Sequence, residues 1–119
     1  MKLTFVELPI FMRQIDRLGR PRSQEMLAAI EDDLLGDPHR GDIIQGAGGA
    51  RKGRVADPTR GKGKRGGARY IYVYFEHHSR IYLLLFYDKD AKVDLTKAEK
   101  QLIAESIART RKILNDGSN

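Results

Sequence analysis

The segment from residue 51 to residue 69 concentrates cationic side chains that could bind phosphate groups. It carries eight lysines and arginines against a single acid, Asp57, with glycines between many of them. The basic residues are Arg51, Lys52, Arg54, Arg60, Lys62, Lys64, Arg65 and Arg69. So charged a stretch has few apolar groups to bury and is expected on the surface. The pattern is typical of a surface that binds a polyanion.

Length and composition limit the classes of protein that fit. The 119 residues predict one domain, 1–119, with a single modest core. The net charge of +6 favours phosphate-bearing partners and salt-sensitive binding. The absence of cysteine excludes disulfides and zinc–thiolate sites and fits a reducing, cytoplasmic location. The longest apolar run, residues 81–87, is too short to span a bilayer, and the N-terminus does not read as a signal peptide.

The N-terminal third predicts a strand followed by two helices. Residues 3–6 are β-prone, and Pro9 opens a segment with apolar residues at helical spacing. Ser23 is predicted to N-cap a second amphipathic helix that ends near Gly36. The apolar faces are formed by Phe11, Ile15 and Leu18 in the first helix and by Leu27, Ile30 and Leu34 in the second.

The remainder predicts the sheet that must position the cations. Residues 50–56 form a strand if extended, with Lys52 and Arg54 on one face. Residues 70–75 and 80–87 form a central hairpin joined by a polar turn. Thr96 and Glu99 fit a capping box that begins a closing helix. The fold class is therefore α+β: a small, mostly antiparallel sheet, two N-terminal helices and a C-terminal helix.

One passage carries a specific resemblance. The run GDIIQGAGGARKGRVADPTRGKGKRGGARYIYVYF, followed by IYLLLFYDKD and a terminal helix, resembles the HigB branch of the RelE-like toxins of bacterial toxin–antitoxin modules. The resemblance covers nearly the whole chain after Gly41. The N-terminal part matches only in the order of its strand and helices. It implies the RelE-like fold.

The resemblance also implies a function. Such toxins are ribosome-dependent endonucleases that cleave messenger RNA in the ribosomal A site, beside 16S rRNA. They need no metal or other cofactor, because the 2′-hydroxyl of the message attacks the adjacent phosphate. The implied partners are the message, the ribosome and a cognate HigA-like helix-turn-helix antitoxin. Operator DNA is reached only through that antitoxin, and no membrane is involved.

The resemblance implies roles for individual residues at the positions where this sequence matches a motif of the family. Arg69 matches the arginine that begins the strand after the glycine turn and is expected to clamp the scissile phosphate. The basic strand before the loop carries Arg51, Lys52 and Arg54. The resemblance implies that this strand contacts phosphate and takes part in proton transfer. Tyr87 and Lys89 match a strand end that supplies further catalytic groups in relatives.

The loop lysines are the candidates for proton transfer. A lysine crowded by other cations has its charged form disfavoured, so Lys62 or Lys64 could act as general base or acid near neutral pH. Their alternative role, together with Arg60 and Arg65, is to bind ribosomal RNA through phosphate contacts.

Two further sets of side chains have simpler interpretations. His77 and His78 fit a solvated turn better than a ligand pair, because neighbours at a turn point apart and no third ligand is near. The alternating tyrosines fit packing better than base stacking; they are Tyr70, Tyr72 and Tyr74. For Tyr87, at the strand end, contact with the message and packing stay equally open.

Two other functions fit the same cationic segment. One is a non-catalytic module that binds RNA or the ribosome and tolerates changes at Arg69 and Tyr87. The other is an inactive toxin-like subunit that acts in a regulatory complex on operator DNA. Growth arrest relieved by a neighbouring gene's product would separate the toxin from both.

Overall fold

The sheet has five strands and the order β1-β5-β4-β3-β2. The computed structural model describes residues 2–56, 67–88 and 94–117. The strands are β1 (Thr4–Glu7), β2 (Asp42–Ile43), β3 (Arg51–Val55), β4 (Ala68–Phe75) and β5 (Arg80–Asp88); the helices are α1 (Pro9–Asp16), α2 (Arg22–Gly36) and α3 (Lys97–Asn115). Among the strands of the described residues, only the β1–β5 pair is parallel. The predicted α+β class and mostly antiparallel sheet are confirmed.

Helices cover both faces of the sheet. On one face α1 and α2 pack Phe11, Met26 and Ile30 against Tyr70 and Tyr72 of β4. The other face packs beneath α3 and forms a second cluster of Ile71, Val73, Phe75, Leu84, Leu95 and Ile107. Because successive strand residues point to opposite faces, β4 contributes to both clusters. The predicted packing role of Tyr70 and Tyr72 is confirmed, since both rings are fully buried.

The start of α2 differs from the sequence prediction. Pro21, not Ser23, occupies the N-cap position, and Ser23 is a buried residue inside the first turn. The Ser23 amide donates to the Gly19 carbonyl, and Gly19 has a φ of +75°. The turn through this glycine starts the helix earlier than serine's capping preference alone indicates.

The glycine-rich passage before β3 forms a hairpin that the sequence did not predict. Asp42 pairs with Lys52 and Ile43 with Arg51, so residues 44–50 are the turn between β2 and β3. Gly48 has a φ of +69°, and a Cβ there would lie 2.8 Å from the Ala104 Cα of α3. Glycine therefore allows both the turn and the close approach of the helix.

Helix α3 is held over the second face at both ends. Both halves of the predicted capping box form: the Glu99 amide donates to the Thr96 hydroxyl at 3.1 Å, and the Thr96 amide to the Glu99 carboxylate at 2.8 Å. Near its other end the Arg111 guanidinium lies over the Phe75 ring. No helix in the described ranges is long and apolar enough to cross a membrane.

Candidate phosphate-binding site

Three predicted site residues form a row across the middle of the sheet. Arg54 on β3 pairs directly with Arg69 on β4, and Arg69 pairs directly with Tyr87 on β5. Directly paired residues project to the same face, with their Cβ atoms about 5 Å apart. The row lies on the α3 face, one residue from the ends where β3 and β5 stop and β4 begins. The structure thus brings together residues from three separate stretches of the sequence.

The two arginines make the row a candidate anion site. Arg54 is exposed and makes no hydrogen bond or ion pair with another described residue, whereas Arg69 is half-buried and donates to the Ala68 carbonyl at 3.3 Å. Like charges directly opposite each other on neighbouring strands repel and destabilise the sheet. A phosphate between two guanidiniums removes that repulsion and accepts hydrogen bonds from both.

Tyr87 contributes a protonated phenol at the other end of the row. Its ring packs against the cluster beneath α3, and its hydroxyl is buried with no hydrogen-bond partner among the described residues. Burial raises the pKa of the Tyr87 phenol, the nearby Asp94 adds to the rise, and Arg69 opposes it. The group is therefore neutral at physiological pH and able to donate a hydrogen bond.

The basic strand divides its side chains between the two faces. Lys52 shares the face of Arg54, and its partner on β4 is Ile71. Arg51 lies on the opposite face, where its guanidinium donates to the His39 carbonyl at 2.9 Å and to the Gly41 carbonyl at 2.8 Å. The structure therefore does not bring Arg51 to the row; its side chain holds the segment that leads into β2.

Five predicted site residues lie outside the described residues: Arg60, Lys62, Lys64, Arg65 and Lys89. The described chain stops at Ala56 and resumes at Gly67, and it stops again at Asp88. All three points are at the end of the sheet that carries the row. The expected roles of the five residues stay predictions.

The histidine pair lies at the far end of β4 from the row. His77 and His78 fall in a short 3-10 turn, as the sequence indicated. His78 hydrogen-bonds to Asn115 of α3 at 3.0 Å, and His77 is exposed. This placement separates both histidines from the arginines.

Sequence reasoning missed the acidic groups that face the row. Asp94 and Glu99 both raise the pKa of Tyr87, so their charges lie close to the phenol. The capping box signalled Glu99 only as a helix start, and nothing in the local sequence marks Asp94. Their position follows from how α3 crosses the sheet.

No protein-family model matches the chain. Among solved structures, it resembles a free-state mutant of the E. coli toxin RelE in which two arginines are replaced by alanine. The TM-score is 0.57 over 90% of this chain and 98% of that chain, at 14% identity. The chain has the RelE fold. The isolated E. coli RelE toxin aligns with a TM-score of 0.53 over 92% of this chain and 99% of that one, at 12% identity.

The RelE fold agrees with the expectation drawn from the sequence. Both RelE chains are covered almost end to end, so the likeness includes the N-terminal helices as well as the sheet. At this level of identity it is a likeness of fold, and the more specific HigB branch stays a prediction.

Proposed function

We propose that this chain is the toxin of a type II toxin–antitoxin module and cleaves messenger RNA in the ribosomal A site. Three findings support the proposal: the fold of the E. coli toxin RelE, the net charge of +6, and the row of Arg54, Arg69 and Tyr87. The resemblance of nearly the whole chain after Gly41 to HigB-like toxins gives the same function.

The observation that carries the proposal is the direct pairing of Arg54 with Arg69. Two guanidiniums carried by directly opposed residues of neighbouring strands favour an anion between them. In the transition state of phosphodiester cleavage, the phosphorane carries more negative charge than the ground-state diester. The same pair therefore stabilises the transition state more than the substrate, as catalysis requires.

The reaction needs no cofactor when the substrate supplies its own nucleophile. The 2′-oxygen forms a bond to phosphorus, the bond from phosphorus to the 5′-oxygen breaks, and a 2′,3′-cyclic phosphate remains. The proton of the 2′-hydroxyl passes to a base, and the leaving 5′-oxygen receives a proton. Lys62 and Lys64 are the proposed proton carriers, because residues 57–66 connect two strands that end beside the row.

Tyr87 is proposed to donate its proton in a hydrogen bond to the phosphate. Its raised pKa keeps the phenol protonated at neutral pH, so that no phenolate is available as a base and hydrogen-bond donation is its chemistry. Lys52, on the same face and closer to the sheet centre, is proposed to bind a neighbouring phosphate of the message. Arg60, Arg65 and Lys89 are proposed to contact RNA phosphates on the ribosome.

The proposed partners follow from the activity. Message and ribosome are the substrate assembly, which places the protein in the cytoplasm. A HigA-like helix-turn-helix antitoxin, encoded next to the toxin, would inhibit it and carry the pair to operator DNA. Co-expression of the neighbouring open reading frame should relieve growth arrest.

The decisive experiment compares Arg69→Ala with Arg80→Ala, a control at the opposite end of the same sheet. Loss of one transition-state donor should slow cleavage about 10²–10³-fold. Growth arrest and primer-extension mapping on translated message are the readouts, and Arg80→Ala should match the wild type. Full cleavage by Arg69→Ala contradicts the proposed mechanism.

The same assays separate the other functions. Translation arrest without scission, unchanged in Arg69→Ala, would indicate a module that only binds the ribosome. Equal cleavage of free RNA without ribosomes would leave a nuclease but remove the A-site requirement. No growth arrest at all, with operator binding in the presence of the antitoxin, would indicate an inactive regulatory subunit.

A further inference from the structure

A second concave site lies on the opposite face of the sheet, at the same end as the arginine row. It is a cleft of about 280 Å³ between the end of α1, the start of α2 and the ends of β4 and β5. Ala68, Tyr87 and Asp88 line it, and Ala68 precedes Arg69 in the chain. One residue of the row, Tyr87, therefore also contributes to the cleft at this end of the sheet.

The cleft combines an apolar floor with polar groups at its mouth. Leu18 is half-buried and supplies apolar surface, and the almost wholly buried side chains of Met26 and Phe86 lie beneath it. Arg17, which is exposed, and Arg22 add positive charge, and Asp88 adds one carboxylate. Apolar walls with a few oriented polar groups are typical of sites for small planar ligands.

Gln14 is the best-oriented polar group in the cleft. Its Oε1 accepts a hydrogen bond from the Phe86 amide at 2.8 Å. This bond fixes which end of the side-chain amide is the acceptor, so the NH₂ group is left as the donor. An amide donor beside apolar side chains suits an acceptor atom on the edge of a nucleobase.

We propose that this cleft binds one unstacked nucleotide of the RNA chain that the arginine row cleaves, a proposal that rests on the proposed function. The base lies against Leu18, above Met26 and Phe86, the Gln14 amide donates to an acceptor on its edge, and Arg17 binds the adjoining phosphate. The strand then crosses the end of the sheet, past Ala68 and Asp88, to reach Arg69.

Two observations favour RNA over other occupants. The cleft adjoins the candidate phosphate site, so one polyanion can occupy both without a gap. The arginines at its mouth match a phosphate rather than a cationic ligand. An acidic peptide without aromatic residues would satisfy the charges but has no flat apolar group for the floor, and it serves as a comparison ligand.

The experiment uses the full chain carrying Arg69→Ala, so that bound RNA is not cut. The methyl signal of Met26 is followed by NMR during titration with a single-stranded trinucleotide, an abasic trinucleotide of equal charge, a nucleoside monophosphate and an acidic peptide. The trinucleotide should shift Met26, with the monophosphate weaker and the abasic strand without effect. An equal shift by the abasic strand or the peptide overturns base recognition.

Gln14→Glu is the matched variant for the amide. It keeps an oxygen to accept from the Phe86 amide and replaces only the NH₂ donor, so thermal unfolding should stay near that of the parent chain. Affinity for the trinucleotide should fall roughly tenfold or more, because a donor is lost and a charge that repels RNA is gained. Arg13→Ala, on the same helix but outside the cleft, should bind as the parent does.

The outcomes distinguish this inference from the proposed function. If the trinucleotide leaves Met26 unmoved, or Gln14→Glu binds as tightly as the parent, the cleft is not a nucleotide site, and cleavage by the row is unaffected. If the trinucleotide binds as described but the wild-type chain never cleaves translated message, the cleft is a nucleotide site and the proposed function is wrong.

Discussion

Replacing Arg54 with glutamine should stabilise the free protein and lower its affinity for RNA. Arg54 is exposed and directly opposite Arg69. Two unit charges about 7 Å apart in a water-like dielectric repel by about 0.6 kcal/mol. The expected gain in the free energy of unfolding is therefore about 0.5 kcal/mol in a low-salt buffer without phosphate. The gain should shrink as salt screens the pair or as added phosphate binds between the arginines.

Arg51→Gln is the matched control, with the opposite expected sign. Arg51 is in the same strand but on the other face, where it donates to two main-chain carbonyls. Losing these charged hydrogen bonds should cost about 1–2 kcal/mol. Urea unfolding measures the stability of both variants. Filter binding over a range of salt concentrations gives the slope of the logarithm of the RNA binding constant against the logarithm of the salt concentration. The magnitude of that slope should fall by about 1 for Arg54→Gln and stay unchanged for Arg51→Gln.

Either of two results would refute this reasoning. If Arg54→Gln lowers the free energy of unfolding by more than about 1 kcal/mol in low salt, the arginine is part of a stabilising network rather than a repelling pair. If Arg51→Gln reduces the salt slope and Arg54→Gln does not, the phosphate site lies on the face of the sheet that carries Arg51 and not on the face that carries Arg54.

Three other changes test the packing and electrostatics of the fold. Tyr72→Phe should cost about 1–3 kcal/mol in urea unfolding, because the buried hydroxyl accepts from the Gly41 amide and donates to the Pro38 carbonyl; unchanged stability would show that water replaces the bond. Thr96→Ala should cost about 1 kcal/mol through loss of the helix cap, measured in the same way, whereas no loss would mean that packing alone holds the start of α3. Glu31→Gln should raise the melting temperature at pH 7, since burial raises the pKa of Glu31 above 4.5 in the folded state and folding therefore disfavours the ionised form. That advantage should fade as the pH falls through the raised pKa toward 4.5, and an advantage that persists in acid would exclude ionisation as its cause.

Local sequence patterns predicted the elements that depend on neighbouring residues. The alternation in residues 70–75 gave the central strand with both faces covered, and Thr96 with Glu99 gave the start of α3. Ser23 was assigned to the wrong helix position because capping preference is only one influence on where a helix begins. The two-residue strand β2 was missed, because Asp42 and Ile43 become a strand only by pairing with β3.

The sequence by itself determined that this protein has a strongly basic surface, an α+β architecture and the pattern that resembles RelE-like toxins, since composition and spacing are local properties. Only the tertiary structure decided which cations act together. Arg51 and Arg54 look equivalent in the sequence, yet the register of β3 turns Arg54 toward Arg69 and Arg51 toward the Gly41 carbonyl. A shift of one residue would exchange the two faces, and that register is fixed by strand pairing and by the packing of helices against both sides of the sheet.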